Sequence, residues 1–198
     1  GNLTYSQGHC VAISGSGHRI ATGALSEDES GLYRVYELSE SQWIQIGQTI
    51  VAKTSFSSIS MTPDGNTIVV GGTDYTQYGY NYGRARVFTY SEDVWTQVGQ
   101  SLFGYGTGLF GIEVDISSNG SIICVSDPLS DDKAEPTWGG SQDDEAGTVY
   151  IYKFNGSAWE QIGSNIVGRE ALNLAGLVSA KITSNGERVV IASPLYRS

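Results

Sequence analysis

One stretch of this chain concentrates the groups that could do chemistry. DPLSDDKAEPTWGGSQDDEAG, 127–147, carries Asp127, Asp131, Asp132, Glu135, Asp143, Asp144 and Glu145 around Trp138. Carboxylates are hard oxygen ligands, so Asp127, Asp131, Asp132, Asp143, Asp144 and Glu145 are the candidates for a weak Ca²⁺ site, the one cofactor the chain suggests. Their spacing matches no known calcium cage, and a solvated acidic loop is the competing reading. A pair such as Asp132 and Asp144 could also act as acid and base in glycoside hydrolysis, if the fold set them across a cleft. A second stretch, TDYTQYGYNYG, 73–83, places Tyr75, Tyr78, Tyr80 and Tyr82 among glycines. Tyrosine offers rigid amphipathic surface at low entropic cost, so these four and Trp138 are the candidates for contact with a glycan or a protein. The alternative is that the rings pack on one another. Other chemistry has little to use: the histidines are His9 and His18, and neither a nucleophile elbow nor a metal-ligand spacing accompanies them.

Composition bounds the scaffold that must hold these loops. The chain has 198 residues, 26 of them Gly and 12 Tyr, with 16% charged side chains, which favours strands and turns over long solvated helices. A formal charge of −10 would repel a phosphate polymer, which excludes nucleic acid and anionic membranes as partners. No apolar run is long enough to cross a membrane as a helix. The start, GNLTYSQG, lacks an initiator Met and a leader, so it fits either a processed secreted protein or a piece of a longer one. Asn2, Asn119 and Asn155 head N-x-[ST] triplets, the candidate N-glycosylation sites, and they argue for an extracellular or surface location. Cys10 and Cys124 lie in apolar runs that suit small buried thiols, although a disulfide between them stays open.

The elements that position the loops come from a repeat. AISGSGHRIATG, SMTPDGNTIVVG, DISSNGSIICVS and KITSNGERVVIA each read as strand, small polar turn ending in Gly, and strand. GLYRVYEL, GRARVFTY and GTVYIYKF then give a third alternating strand, and W-x-Q-[IV]-G at Trp43, Trp95 and Trp159 a fourth. Each unit is four antiparallel strands, A to D, which have the size and content of a propeller blade. The expected fold is therefore all-β: a β-propeller fragment of about three and a half blades, forming one partial domain over 1–198. Its blades run 9–55, 56–109 and 110–175, with a half blade at 176–198. Three and a half blades leave exposed edges, so the rest of the ring is expected from a longer chain or from another copy. Trp43, Trp95 and Trp159 are expected to pack equivalently, one per blade. Val11, Ile13, Ile20, Val35, Ile59, Ile68, Val87, Val114, Ile116, Ile123, Ile151 and Ile182 are expected to be buried.

Phe110-Gly111 heading LFGIEVDISSNGSIICVSDP, with GAL, GGT, SDP and ASP at one equivalent place in the four units, resembles the FG-GAP repeat. That family forms the seven-bladed propeller of integrin α subunits and occurs in secreted and surface proteins of algae and bacteria. The W-x-Q-x-G ending is similar to a microbial variant. The calcium loops of the integrin type do not carry over, because the A–B turns here hold at most one acid each.

Strand parity puts the short A–B and C–D turns on one face and the B–C and D–A loops on the other. The B–C spans lengthen from 23–31 to 71–83 to 126–147, so a protein or glycan partner is expected on the long-loop face. The expected function is a non-catalytic adhesion or structural interaction module. The alternative is a carbohydrate-active enzyme that uses the acidic long-loop face.

Overall fold

The computed structural model describes residues 6–25, 31–52, 57–72, 83–104, 109–130, 147–168 and 179–192. Fifteen strands succeed one another. β1 (Ser6–Ile13), β2 (Arg19–Leu25), β3 (Gly31–Ser39) and β4 (Gln42–Ala52) form one antiparallel sheet in sequence order. β5 (Ser57–Met61), β6 (Thr67–Gly72), β7 (Arg84–Ser91) and β8 (Val94–Phe103) form the next. β9 (Val114–Ile116), β10 (Ile122–Asp127), β11 (Thr148–Phe154) and β12 (Trp159–Gln161) make the third, in which the short β13 (Ile166–Val167) also pairs with β11. β14 (Ser179–Ile182) and β15 (Val189–Ala192) form an A–B pair with no further strand beside it among the described residues. The chain is thus all-β, a fragment of a β-propeller.

The A–B turns repeat one set of bonds because they repeat one set of residues. A hydroxyl at Ser14, Thr62, Ser117 or Thr183 accepts the N–H that opens the returning strand, from Arg19, Thr67, Ile122 and Arg188 respectively. Two residues further on, the side-chain oxygen of Asp64, Asn119 or Asn185 accepts a second N–H, from Asn66, Ser121 or Glu187. Such Asx and hydroxyl turns supply the partners a tight reversal would otherwise leave to water.

Packing runs between blades. Three apolar clusters lie one at each junction: Tyr33, Val35, Ile68 and Trp95 join the first two sheets, Val87, Phe110, Ile123 and Trp159 the second and third, and Cys124, Val149 and Ala180 the third and the half blade. Each indole belongs to the blade that follows its contact. Trp95 donates Nε1–H to the Ile46 carbonyl at 3.1 Å, and Trp159 donates to that of Val98 at 2.9 Å. The main chain of each Trp is clamped by the Gln that ends the preceding phrase. Gln48 Nε2 donates to Trp95 O at 2.7 Å while Trp95 N–H donates to Gln48 Oε1 at 3.0 Å, and Gln100 and Trp159 repeat the pair at 2.7 and 2.9 Å. The phrase W-x-Q-[IV]-G-Q is therefore a plug and a socket in one: the Trp inserts backwards and the I/V-G-Q segment receives the next Trp.

That direction corrects two expectations. Trp95 and Trp159 are buried, but Trp43 is 44% exposed, because no earlier blade stands before it among the described residues. For the same reason Val11 and Ile13, expected in the core, are 68% and 64% exposed on the outer face of β1. Ile20, Ile151 and Ile182 are half-buried, whereas Val35, Ile59, Ile68, Val87, Val114, Ile116 and Ile123 are buried. No disulfide joins Cys10 and Cys124, and burial pushes the Cys124 thiol up to about 12.

Candidate functional site on the long-loop face

The B–C and D–A ends of the second and third blades meet through main chain. Gly83 bridges Phe110, Gly111 N–H donates to Ser126 O at 2.8 Å, and Ser58 Oγ donates to Gly111 O at 3.0 Å. Only glycine fits Gly83, which has φ +68° and where a Cβ would stand 2.0 Å from the Phe110 carbonyl oxygen. Phe110 is fully buried beside Tyr150 and Tyr152, so the Phe-Gly pair is a wedge that fixes the floor of this face.

Asp127 ends β10 on that floor. It is fully buried, and neither carboxylate oxygen closes a hydrogen bond within ordinary geometry among the described residues. Its cross-strand partner Thr148 is also fully buried with an unpartnered hydroxyl, and Ser130, whose N–H closes the turn onto Asp127 O at 3.2 Å, is a third. Burial pushes the Asp127 carboxyl up to about 7; the backbone N–H groups of Leu109 and Leu129 pull the other way but close no hydrogen bond on either oxygen. Buried polar atoms in a core are normally paired, so three such side chains side by side, unpaired among the described residues, single this place out from the rest of the core. Among the described residues one carboxylate and two hydroxyls gather here, fewer oxygens than a calcium cage needs, and the other candidate carboxylates lie outside those residues. Among the described residues no group of three or more His, Cys, Asp and Glu side chains is gathered for a metal.

Of the sequence candidates, Asp127 is thus placed, and as a buried group. Asp131, Asp132, Asp143, Asp144, Glu145 and Trp138, and Tyr75, Tyr78, Tyr80 and Tyr82, lie outside the described residues, as does Asn2. Asn119 and Asn155 are exposed on the opposite, short-turn face. Both are turn caps: Asn119 Oδ1 accepts from Ser117 Oγ, Ser121 N–H and Ser121 Oγ, and Asn155 Oδ1 accepts from Ser157 N–H, Ser157 Oγ and Ala158 N–H. Sequence reasoning passed over Thr148 and Ser130. The signal lay in the repeat: Asp127 occupies the place of Ala24 and Gly72, so a carboxylate stands where the other blades keep a small residue. Asp115 was missed as well. It ties three blades together, accepting Ser60 Oγ–H at 2.6 Å and Ile182 N–H at 2.9 Å.

No family model matches the chain, and no curated protein matches it. Solved structures do. The chain is similar to a prolyl endopeptidase (TM-score 0.53, 14% identity, 95% of this chain and 25% of that one) and to Sqt1 of Saccharomyces cerevisiae (0.55, 12%, 85% and 37%). It is also similar to a candidate 6-phosphogluconolactonase of Bacteroides uniformis (0.55, 16%, 93% and 47%). It spans less than half the length of each of these, and identities this low establish the propeller fold alone. The expectation of a non-catalytic adhesion or structural module, which ranked an enzyme second, is corrected by this likeness: two of these three propeller chains are named for catalysis, which favours the enzyme alternative. The physical reason is that adhesion was read from loop asymmetry, and asymmetric loops serve a catalytic rim equally well.

Proposed function

We propose that this chain supplies blades to a carbohydrate-active hydrolase whose chemistry lies on the long-loop face, in an FG-GAP-like propeller. The observation that carries the reading is Asp127, a buried carboxyl raised to about 7 by desolvation, at the base of the most acidic loop. Hydrolysis at a sugar centre needs one acid and one base whose affinities for the proton are set apart by their surroundings. Asp127 is enclosed, so it is a positioning group. Neutral or ionised, it sets the field beneath Ser130 and Gly147, the two residues from which 131–146 springs. The candidates to touch substrate are Asp132 and Asp144, with Tyr78, Tyr80 and Trp138 offering rings against which a sugar can stack. The name of the lactonase-like propeller and the Phe110-Gly111 wedge, with small residues at the equivalent strand-B ends, support the reading.

The test is turnover of a panel of sugar lactones, glycosides and polysaccharides by the chain. Asp132→Ala and Asp144→Ala should each lower kcat by about 10²-fold or more. Asp127→Asn should leave measurable activity and displace the pH profile. Absence of turnover across the panel, or turnover indifferent to both alanine variants, would overturn the proposal.

A further inference from the structure

Among the described residues the socket that receives an indole is present three times and filled twice. A Cβ on Gly47 would lie 2.6 Å from Trp95 Cδ1, and one on Gly99 would lie 2.7 Å from Trp159 Cδ1. Tyr90 Cε2 and Phe154 Cε2, from the strand C that precedes each Trp, approach the same two positions to 3.3 Å. Gly163 has the same backbone, φ +71° against +65° and +70°, yet none of the described residues lies within 4 Å of its Cβ position. Ile162, at the place of Ile46 and Val98, is 38% exposed. A groove of about 310 Å³ opens there between the third blade and the half blade, with Ile151, Ile162, Ile166, Ile182 and Val189 on its walls and Glu187 and Arg188 also lining it. Beside it, among the described residues, β15 pairs with β14 on one edge, while every other strand B pairs on both edges with A and C. Val190 on β15 is 70% exposed.

An empty apolar socket next to an unpaired strand edge specifies its occupant by continuity with the two filled junctions. We propose that the groove receives a β-hairpin of the same polypeptide, of the kind formed by β7–β8. Its first strand pairs antiparallel with β15 and carries an aromatic five residues before a Trp. That Trp seats on Gly163 and donates Nε1–H to the Ile162 carbonyl. Ser164 stands where Gln48 and Gln100 clamp the next main chain, so this junction relies on the indole and the sheet edge, without the paired amide bonds. A second copy of the chain is a poor fit. To bring its exposed Trp43 here, its β1–β2 would have to enter the space that β14–β15 already fill.

The experiment appends the sequence of residues 84–103 after Ser198 through a flexible Gly-Ser linker of roughly twelve residues, long enough to reach and short enough for a millimolar effective concentration. Amide exchange at Val189–Ala192 should slow by about tenfold or more relative to the unextended chain. The same fusion with Trp95→Ala in the appended copy should lose most of that protection, and Ser164→Gln should increase it. Unchanged exchange at 189–192, or equal protection without the appended indole, would overturn the proposal. So would sedimentation of the unextended chain as a dimer with protection at 9–13, which would make a second copy the occupant.

Discussion

Removing the amide clamp at the second junction gives a direct measure of what holds the blades together. Gln100→Ala deletes two hydrogen bonds, from Nε2 to Trp159 O at 2.7 Å and from Trp159 N–H to Oε1 at 2.9 Å, and leaves the indole bond to Val98 O in place. Each bond contributes roughly 1 kcal/mol net, and a half-buried main-chain group left unpaired costs somewhat more, so the loss should be about 2 to 3 kcal/mol. For a chain of this size that lowers Tm by roughly 4–12 °C. Thermal unfolding followed by circular dichroism reads the global loss, and hydrogen exchange of the Trp159 amide reads the local one. Gln48→Ala should behave alike, since Gln48 holds Trp95 with the same geometry. Ser164→Ala should change stability by less than about 0.5 kcal/mol, because Ser164 is exposed and no Trp lies beyond it among the described residues. A loss below about 0.5 kcal/mol for Gln100→Ala, or Trp159 exchange equal to that of the parent, would refute the clamp.

Two further outcomes follow from the turn and the floor. Asp127 is held above its ordinary value, so the folded chain binds its proton more tightly than the unfolded one; this contribution is full below about pH 4 and is lost as pH rises to about 7. The decline should be on the order of 4 kcal/mol, with Glu113, also raised by burial, adding to it, and urea midpoints from pH 4 to pH 8 should show a shallower slope in Asp127→Asn. An unaltered slope would remove Asp127 as its source. At the third A–B turn, Asn119→Ala should cost about 1 kcal/mol and Asn119→Asp nearly nothing in urea unfolding, because Asp64 already caps the equivalent turn.

Local chemistry made much of this fold legible. A hydroxyl, an Asx or Ser and a Gly at fixed offsets specify an A–B reversal whatever surrounds it, and strict alternation around Val35 and Val87 specifies which side of a strand is apolar. The threefold phrase around Trp43, Trp95 and Trp159 announced a repeated junction. Its sense was a tertiary matter: one indole residue is exposed and two are buried because each reaches back to the glycine of the blade before it, and a linear string does not say which neighbour a side chain faces. The same holds at the site. The acidic crowd of 127–147 was visible as composition, but the state of Asp127 depends on its full burial at the end of β10 beside Thr148 and Ser130, and that burial raises its affinity for a proton. Residue type sets the ordinary value of a carboxyl; only the surrounding fold removes the water and the partners that would keep it there.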